Sequence, residues 1–264
     1  MKKNPPVVLT IAGSDNSCGA GVQADLKAIT ALGGYAQTAI TCVVAEVPGH
    51  VSAIQAVRPA IVVEQIRLSL EAFPVAAIKT GMLYSTAIIR AVAAELSVAK
   101  KSPPLVVDPV MVASSGDPLL RASAIQAYRE WIFPLATLVT PNLDELRILS
   151  GMPCRDIKEI QSAGASLVDR YGCAFLLKGG HLRTKTATDI LATPTGFEVF
   201  SAPFRRNIDA HGTGCTFSAA IATGLASGLS LSKAVGQAKT YITLAIENAL
   251  RWKKATALDH RIRP

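Results

Sequence analysis

Residues 7–44 read VVLTIAGSDNSCGAGVQADLKAITALGGYAQTAITCVV, and the hydrophobic period changes twice along them. VVLTIAG (7–13) is an apolar run of strand length. QADLKAITALGG (23–34) spaces its apolar residues for a helix and closes on glycine, the residue that best adopts the left-handed conformation at a helix C-terminus. YAQTAITCVV (35–44) returns to strand. Two apolar strands joined through a helix make a β-α-β unit, and strands this uniformly apolar belong to a parallel sheet buried on both faces.

The alternation continues outward from this unit. SAIQAV reads as strand, AIVVEQIRLSLEAF as a helix opened by Pro59, AAIKTG as strand, and roughly 85–99 as helix. LVVDPV and TLVTPN are further strands with a helix near 122–132 between them. Two helices (143–150 and 156–171), the strand AFLLKGG, a strand pair DILAT and FEVFSAP turned by PTG, and two final helices complete the chain. Repeated β-α units imply an α/β class: three α/β/α layers around a mostly parallel central sheet. Neither linker, repeat nor low-complexity segment divides residues 1–264, so one domain is expected.

Composition narrows the function classes. A chain of 264 residues with 50% hydrophobic content buries roughly three quarters of its unfolded surface, enough for one large core. The net charge of +8 is scattered except at Lys2 and Lys3 and in RWKK and HRIRP near the end. Such a surface suits small polyanions such as ATP, and without interleaved aromatics it argues against nucleic acid. Five cysteines, Cys18, Cys42, Cys154, Cys173 and Cys215, form an odd set without a C-x-x-C pair. This points to a reducing compartment and away from a zinc site or disulfide framework. The prolines of MKKNPPVVLTIAGSD argue against a signal peptide, and 215–231 is too rich in Ser, Thr and Gly for a membrane span. A cytoplasmic protein that binds no membrane is expected.

Ligands of parallel sheets bind beyond the carboxyl ends of the strands. Those ends carry GSDNSCGAG, AEVPGH, KTGM, DPVMVASSG, TPNLDE and KGGH. The sequence has no G-x-x-x-x-G-K-[ST], and neither GAGVQA nor GTGCTF supplies the third glycine of a dinucleotide fingerprint. What remains is HGTGCTFSAA (211–220), where Gly212, Thr213, Gly214 and Cys215 precede a run of small residues. Converging N–H groups at a helix N-terminus form an anion hole, and the same field lowers the pKa of a thiol. Cys215 reads as a thiolate base beside that hole or as a buried, inert cysteine.

The strings TIAGSDNSCGAGVQADLKAITALGGY, AAIKTGML, VVDPVMVASSG, TPNLDE, LLKGGH and HGTGCTFSAAIA occur in the order found in hydroxymethylpyrimidine/phosphomethylpyrimidine kinases of thiamine biosynthesis, members of the ribokinase superfamily. The chain resembles that family over nearly its full length. The resemblance implies a ribokinase-like fold, a homodimer, and Mg-ATP as phosphoryl donor to a pyrimidine hydroxymethyl group and then to the monophosphate. It implies that Cys215 stands where most relatives carry an aspartate base, with Gly212, Thr213 and Gly214 as the anion hole. It puts Lys178, Asn142 and His211 with ATP, Glu145 and Asp108 with Mg2+, and Gly13, Asp25, Glu46 and Met82 with the pyrimidine.

The chain also departs from the family. Val47 and Pro48 of AEVPGHV stand where an acid or amide and Asn-Thr usually follow, and Cys18 stands where the glycine-rich loop usually has Ser or Gly. Both changes border the substrate end. Pyridoxal kinase is the rival within the fold, since its substrate is also a flat N-heterocycle bearing a hydroxymethyl group. Glu46 favours the aminopyrimidine, because a carboxylate accepts from an exocyclic amine. A catalytically silent nucleotide or thiamine-precursor binding protein is the rival of another class, opposed by Cys215, Glu145 and Lys178. A cysteine acyl-transferase would need His211 as partner and a third group to orient it.

Overall fold

The computed structural model describes residues 4–98, 103–111, 122–179, 186–204 and 211–262. Lys2, Lys3, Ala99, the VASSG part of DPVMVASSG, Gly180 and His181 of KGGH, and the last two residues of HRIRP lie outside the described residues.

The first unit is β1 (Val7–Asp15), α1 (Gly21–Ala31) and β2 (Tyr35–Val47), with β3 (His50–Ala56) folded back on β2. There follow α2 (Pro59–Ala72), β4 (Val75–Thr80), α3 (Thr86–Ser97), β5 (Leu105–Val107), α4 (Ala122–Ala127), β6 (Leu138–Val139), α5 (Leu143–Ser150), α6 (Ile157–Tyr171) and β7 (Ala174–Lys178). The chain then runs through β8 (Thr186–Thr193), β9 (Gly196–Pro203), α7 (Thr213–Ala226), α8 (Leu231–Glu247) and a hairpin of β10 (Leu250–Arg251) and β11 (Thr256–Ala257).

Nine strands form one sheet in the order β3-β2-β1-β4-β5-β6-β7-β8-β9. The six strands from β2 through β1, β4, β5 and β6 to β7 are mutually parallel, and β3, β8 and β9 pair antiparallel at the two edges. Strand alternation splits the core in two. Leu9, Ile11, Ile78, Val107, Val139 and Phe175 face α2, α3, α5 and α6, whereas Val8, Ala77, Val106, Leu138 and Leu176 face α1, α7 and α8. The three-layer expectation holds.

Three details differ from the expected elements, each for a local reason. β5 and β6 are only three and two residues long, because Pro109 and Pro141 follow them and lack the N–H that would extend the ladder. The helix expected near 122–132 widens into a π turn over Tyr128–Ile132 and tightens into a 3-10 turn at Phe133–Leu135, where Pro134 cannot continue it. The β10–β11 hairpin pairs two residues with two, too few to leave a period in the sequence.

Candidate active site

The chain turns back across the sheet after β3, so the crevice between the carboxyl ends of β1 and β4 is its topological switch point. β1 loses register against β2 between Ala12 and Ser14. Gly13 sits at that irregularity, where a side chain would come within 2.8 Å of Cys42 Sγ and 3.4 Å of Met82 Cε. Glycine is required there for close approach, and Gly13, Cys42 and Met82 pack into one wall. Met82 also accepts a hydrogen bond from Thr41 Oγ1 at 2.6 Å through its carbonyl.

The loop after β1 wraps around Asp15. Its carboxylate accepts from the N–H groups of Ser17, Gly19 and Ala20 at 2.6, 3.1 and 2.8 Å and from Ser17 Oγ at 2.9 Å. Burial opposes the charge, but His211 together with these donors outweighs it and holds Asp15 well below the usual carboxylate range. His211 Nε2 is 3.2 Å from Asp15 Oδ2 and 4.0 Å from Glu46 Oε2. Thus His211, expected with the nucleotide residues, lies with Glu46 at the end of β2. Burial and then Asp15 raise the pKa of Glu46, against the pull of His211.

α7 begins over this crevice. Its N-cap, Gly212, has φ 79°, and a side chain on it would collide with the carbonyl of Gly19; both facts demand glycine. The N–H groups of a first helical turn have no partner within the helix, and this end of α7 packs beside the loop after β1. Cys215 is half-buried here. The expectation of a thiolate near neutral pH is corrected by its surroundings. Burial, the largest influence, pushes the thiol up to about 12, ahead of the opposing Lys79 ammonium, with Asp25 and Asp108 adding to the rise and a Gly21 backbone hydrogen bond opposing it. Burial and the two carboxylates thus work against the thiolate, and Lys79 works for it.

Beneath α7 run three buried ion pairs of alternating sign. Lys79 Nζ is 2.8 and 3.0 Å from the two oxygens of Asp25, and neither side chain is exposed. Thr10 Oγ1 also donates to Asp25. Burial works against the Lys79 charge, but Asp25 above all outweighs it and raises the lysine pKa above its usual range. Next along the sheet, Lys178 Nζ is 3.0 Å from Asp108 Oδ1, with Thr140 and Ser218 hydroxyls at 3.4 and 3.5 Å from that carboxylate. Gly214 abuts this pair: a side chain on it would lie 3.1 Å from Lys178 Nζ. At the far end Lys239 Nζ is 2.7 Å from Asp189, which also accepts the N–H of Gly179 at 3.1 Å.

The turn TPNLDE opens α5 with a capping box. Asn142 Oδ1 accepts the Glu145 N–H, and Glu145 Oε2 returns to the Asn142 N–H, both at 2.9 Å. Glu145 Oε1 accepts from the Met111 N–H at 2.9 Å. Burial raises the Glu145 pKa to about 7, with Lys178 opposing and Asp108 adding to the rise. Asn142 also bridges to Lys178 along the sheet. The structure therefore gathers Asn142, Glu145, Lys178, Asp108 and Gly214 at one end of the crevice and Gly13, Met82, Glu46 and His211 at the other.

Asp15, Thr10, Lys79, Asp189 and Lys239 were not singled out from sequence. Asp15 and Lys79 stand within the strand-end strings GSDNSCGAG and KTGM, a usable signal. The Asp189–Lys239 pair joins a strand to a helix fifty residues apart, which no local pattern announces.

A family model described as phosphomethylpyrimidine kinase matches residues 15–258. The chain is 44% identical over 242 residues to the thiamine biosynthesis bifunctional protein ThiED of Geobacter sulfurreducens, covering 92% of this chain and 49% of that one. It thus spans about half the length of that relative. It is 41% identical to the hydroxymethylpyrimidine/phosphomethylpyrimidine kinase of Streptomyces coelicolor, over 92% of this chain and 89% of that protein. An ADP complex of Bacillus subtilis pyridoxal kinase superposes with a TM-score of 0.88 at 34% identity, covering 96% of this chain and 97% of that chain. No helix among the described residues is long and apolar enough to cross a membrane. With a family model spanning most of its length and relatives above 40% identity, the chain belongs to the phosphomethylpyrimidine kinase family.

Proposed function

We propose that this protein transfers the terminal phosphoryl group of ATP to the hydroxymethyl group of 4-amino-5-hydroxymethyl-2-methylpyrimidine and then to the resulting monophosphate, in thiamine biosynthesis. The observation that carries the reading is the N-terminus of α7, with Gly212 in the left-handed conformation and Gly214 placed against the buried Lys178–Asp108 pair. Helix-end donors and fixed cations flanking one crevice suit phosphoryl transfer, whose catalysis is mostly positioning and charge stabilisation.

In this reading Lys178 and Asn142 face the ATP phosphates. Asp108 and Glu145 are buried oxygen donors of the kind that suits magnesium, each with lone pairs left after its own hydrogen bonds. Bound there with phosphate oxygens and water, the metal would neutralise charge developing on the transferred group. Cys215, as the thiolate, takes the proton of the acceptor hydroxyl as that oxygen bonds the terminal phosphorus of ATP and the bond to the leaving ADP breaks, and the first turn of α7 stabilises the transferring group. Glu46 hydrogen-bonds the exocyclic amine, with Gly13 and Met82 against the ring. The protein acts as a single-domain cytoplasmic homodimer.

Pyridoxal kinase is the second reading, favoured by the superposition on the Bacillus subtilis enzyme and by Val47 and Pro48 beside Glu46. The test is to incubate the protein with Mg-ATP and, in turn, hydroxymethylpyrimidine, its monophosphate, pyridoxal and ribose, and to identify products by mass. The pyrimidine is expected to gain one and then a second phosphoryl group. Turnover of pyridoxal with the pyrimidine untouched would reverse the assignment.

A further inference from the structure

Asp189 of β8 and Lys239 of α8 are both buried and lie 2.7 Å apart. Desolvation makes such a pair a poorer source of stability than packed apolar side chains, so what its atoms hold matters more than its own attraction. Asp189 Oδ2 takes the lysine, and Oδ1 takes the N–H of Gly179 at 3.1 Å. The ladder between β7 and β8 ends with Lys178 opposite Asp189, so this side chain supplies the acceptor for the first amide beyond the last pair. On the other edge of β7 the Lys178 N–H goes to the carbonyl of Pro141 at 3.0 Å, and Asn142 bridges to Lys178. Lys178 is thus the last strand residue before a glycine, which restrains the backbone least of all residues. It is held on the β6 side by the TPN turn and on the β8 side through a carboxylate that a helix lysine locks. Its ammonium reaches Asp108 Oδ1 at 3.0 Å, beside Gly214 at the start of α7.

We propose that Asp189 and Lys239 are positioning residues for Lys178: the locked carboxylate fixes the end of β7 through the Gly179 amide and so sets the Lys178 ammonium where the ATP phosphates bind. This rests on the reading of Lys178 as a phosphate ligand and deepens it. Catalysis of phosphoryl transfer depends on such placement, because the protein contributes chiefly position and charge. The working part of the pair is the oxygen presented to Gly179. Lys239 acts by keeping that oxygen oriented and by balancing its charge.

The test compares two double variants of the full chain, each of which removes the ion pair without leaving a lone buried charge. Asp189→Asn/Lys239→Met keeps an oxygen for the Gly179 N–H, and Asp189→Leu/Lys239→Met does not. The leucine variant is expected to lose hydrogen-exchange protection at Gly179 and to raise KM for Mg-ATP about tenfold, on the scale of one hydrogen bond to a charged group, with KM for hydroxymethylpyrimidine in place. The asparagine variant should keep the protection and both KM values of the parent. Asp189→Ala/Lys239→Met makes the same comparison should leucine prevent folding. Retained protection in the variant without the oxygen, equal KM for ATP in the two double variants, or a parallel rise for both substrates overturns the proposal. Exchange at Gly179 reads the pinning without any nucleotide, and Lys178→Met reads the phosphate contact by itself. An unchanged KM for ATP in Lys178→Met would remove Lys178 from the phosphates, and the proposal with it.

Discussion

His260 Nε2 lies 2.9 Å from Thr216 Oγ1, so the C-terminal segment is tied to the residue that follows Cys215 in α7. The imidazole is buried, and Tyr241 donates to its backbone carbonyl at 3.1 Å. Burial first, and Lys27 second, lower its pKa from 6.5 to about 4. The folded protein thus resists a proton that the unfolded chain accepts. Stability from this group is full above pH 6.5 and is lost as pH falls toward 4, by up to about 3 kcal/mol. His260→Gln, which keeps a polar partner for Thr216, should flatten the decline of Tm between pH 6.5 and 4. An equally steep decline in the variant would remove His260 as its source.

Gly212 and Gly214 should respond differently to alanine. At Gly212 the methyl group meets the Gly19 carbonyl in a left-handed backbone, with a conformational cost of about 1–2 kcal/mol before the collision. Gly212→Ala should lower Tm and activity together. At Gly214 the methyl group presses on the flexible end of Lys178, so Gly214→Ala should fold with near-normal Tm and lose kcat. Thermal melts beside initial rates separate the two, and a normal Tm in Gly212→Ala would contradict the account.

Glu145 accepts from two backbone N–H groups at the end of the site proposed for magnesium. Glu145→Gln should lower kcat strongly and move the magnesium dependence to higher concentration, because a neutral amide holds the cation less well. The amide also turns a donor toward one of those N–H groups, so a drop in Tm of the order expected for one unsatisfied buried donor, about 1–3 kcal/mol, is expected as well. Lower activity with an unaltered magnesium curve would assign Glu145 to the capping box alone.

Glu46 lies with His211 and Asp15 at the substrate end. Glu46→Ala should raise KM for hydroxymethylpyrimidine by the worth of a charge-assisted hydrogen bond, about 1.5–3 kcal/mol, and leave KM for ATP in place. An unchanged pyrimidine KM would take Glu46 out of the site.

Much of the fold was legible because its signals are local. VVLTIAG and AFLLK are buried on both faces and need no partner to be recognised as strands, and Gly151 and Gly172 close α5 and α6 with φ of 73° and 69°. The site was legible where glycine or proline marks a turn, as in HGTGC and TPNLDE. It was not legible where charge is balanced at a distance. Lys79 and Asp25 are 54 positions apart, and burial, which pushes the Cys215 thiol up, leaves no local mark in the sequence. His211 illustrates the same limit: its approach to Asp15 and Glu46, at 3.2 and 4.0 Å, joins residues far apart in sequence and leaves no local signal.

The role of Cys215 can be measured most directly by comparing the two phosphorylations. The first acceptor is an alcohol that must lose a proton during attack, whereas the second is a phosphate monoester, largely a dianion near neutral pH because its second pKa is about 6. General-base catalysis contributes about 10²- to 10⁴-fold, so single-turnover rates of Cys215→Ala should fall by that range with hydroxymethylpyrimidine. They should fall far less with its monophosphate, since the α7 N-terminus still holds the transferring group. Equal losses with both acceptors would contradict the account and make Cys215 a space-filling or positioning residue.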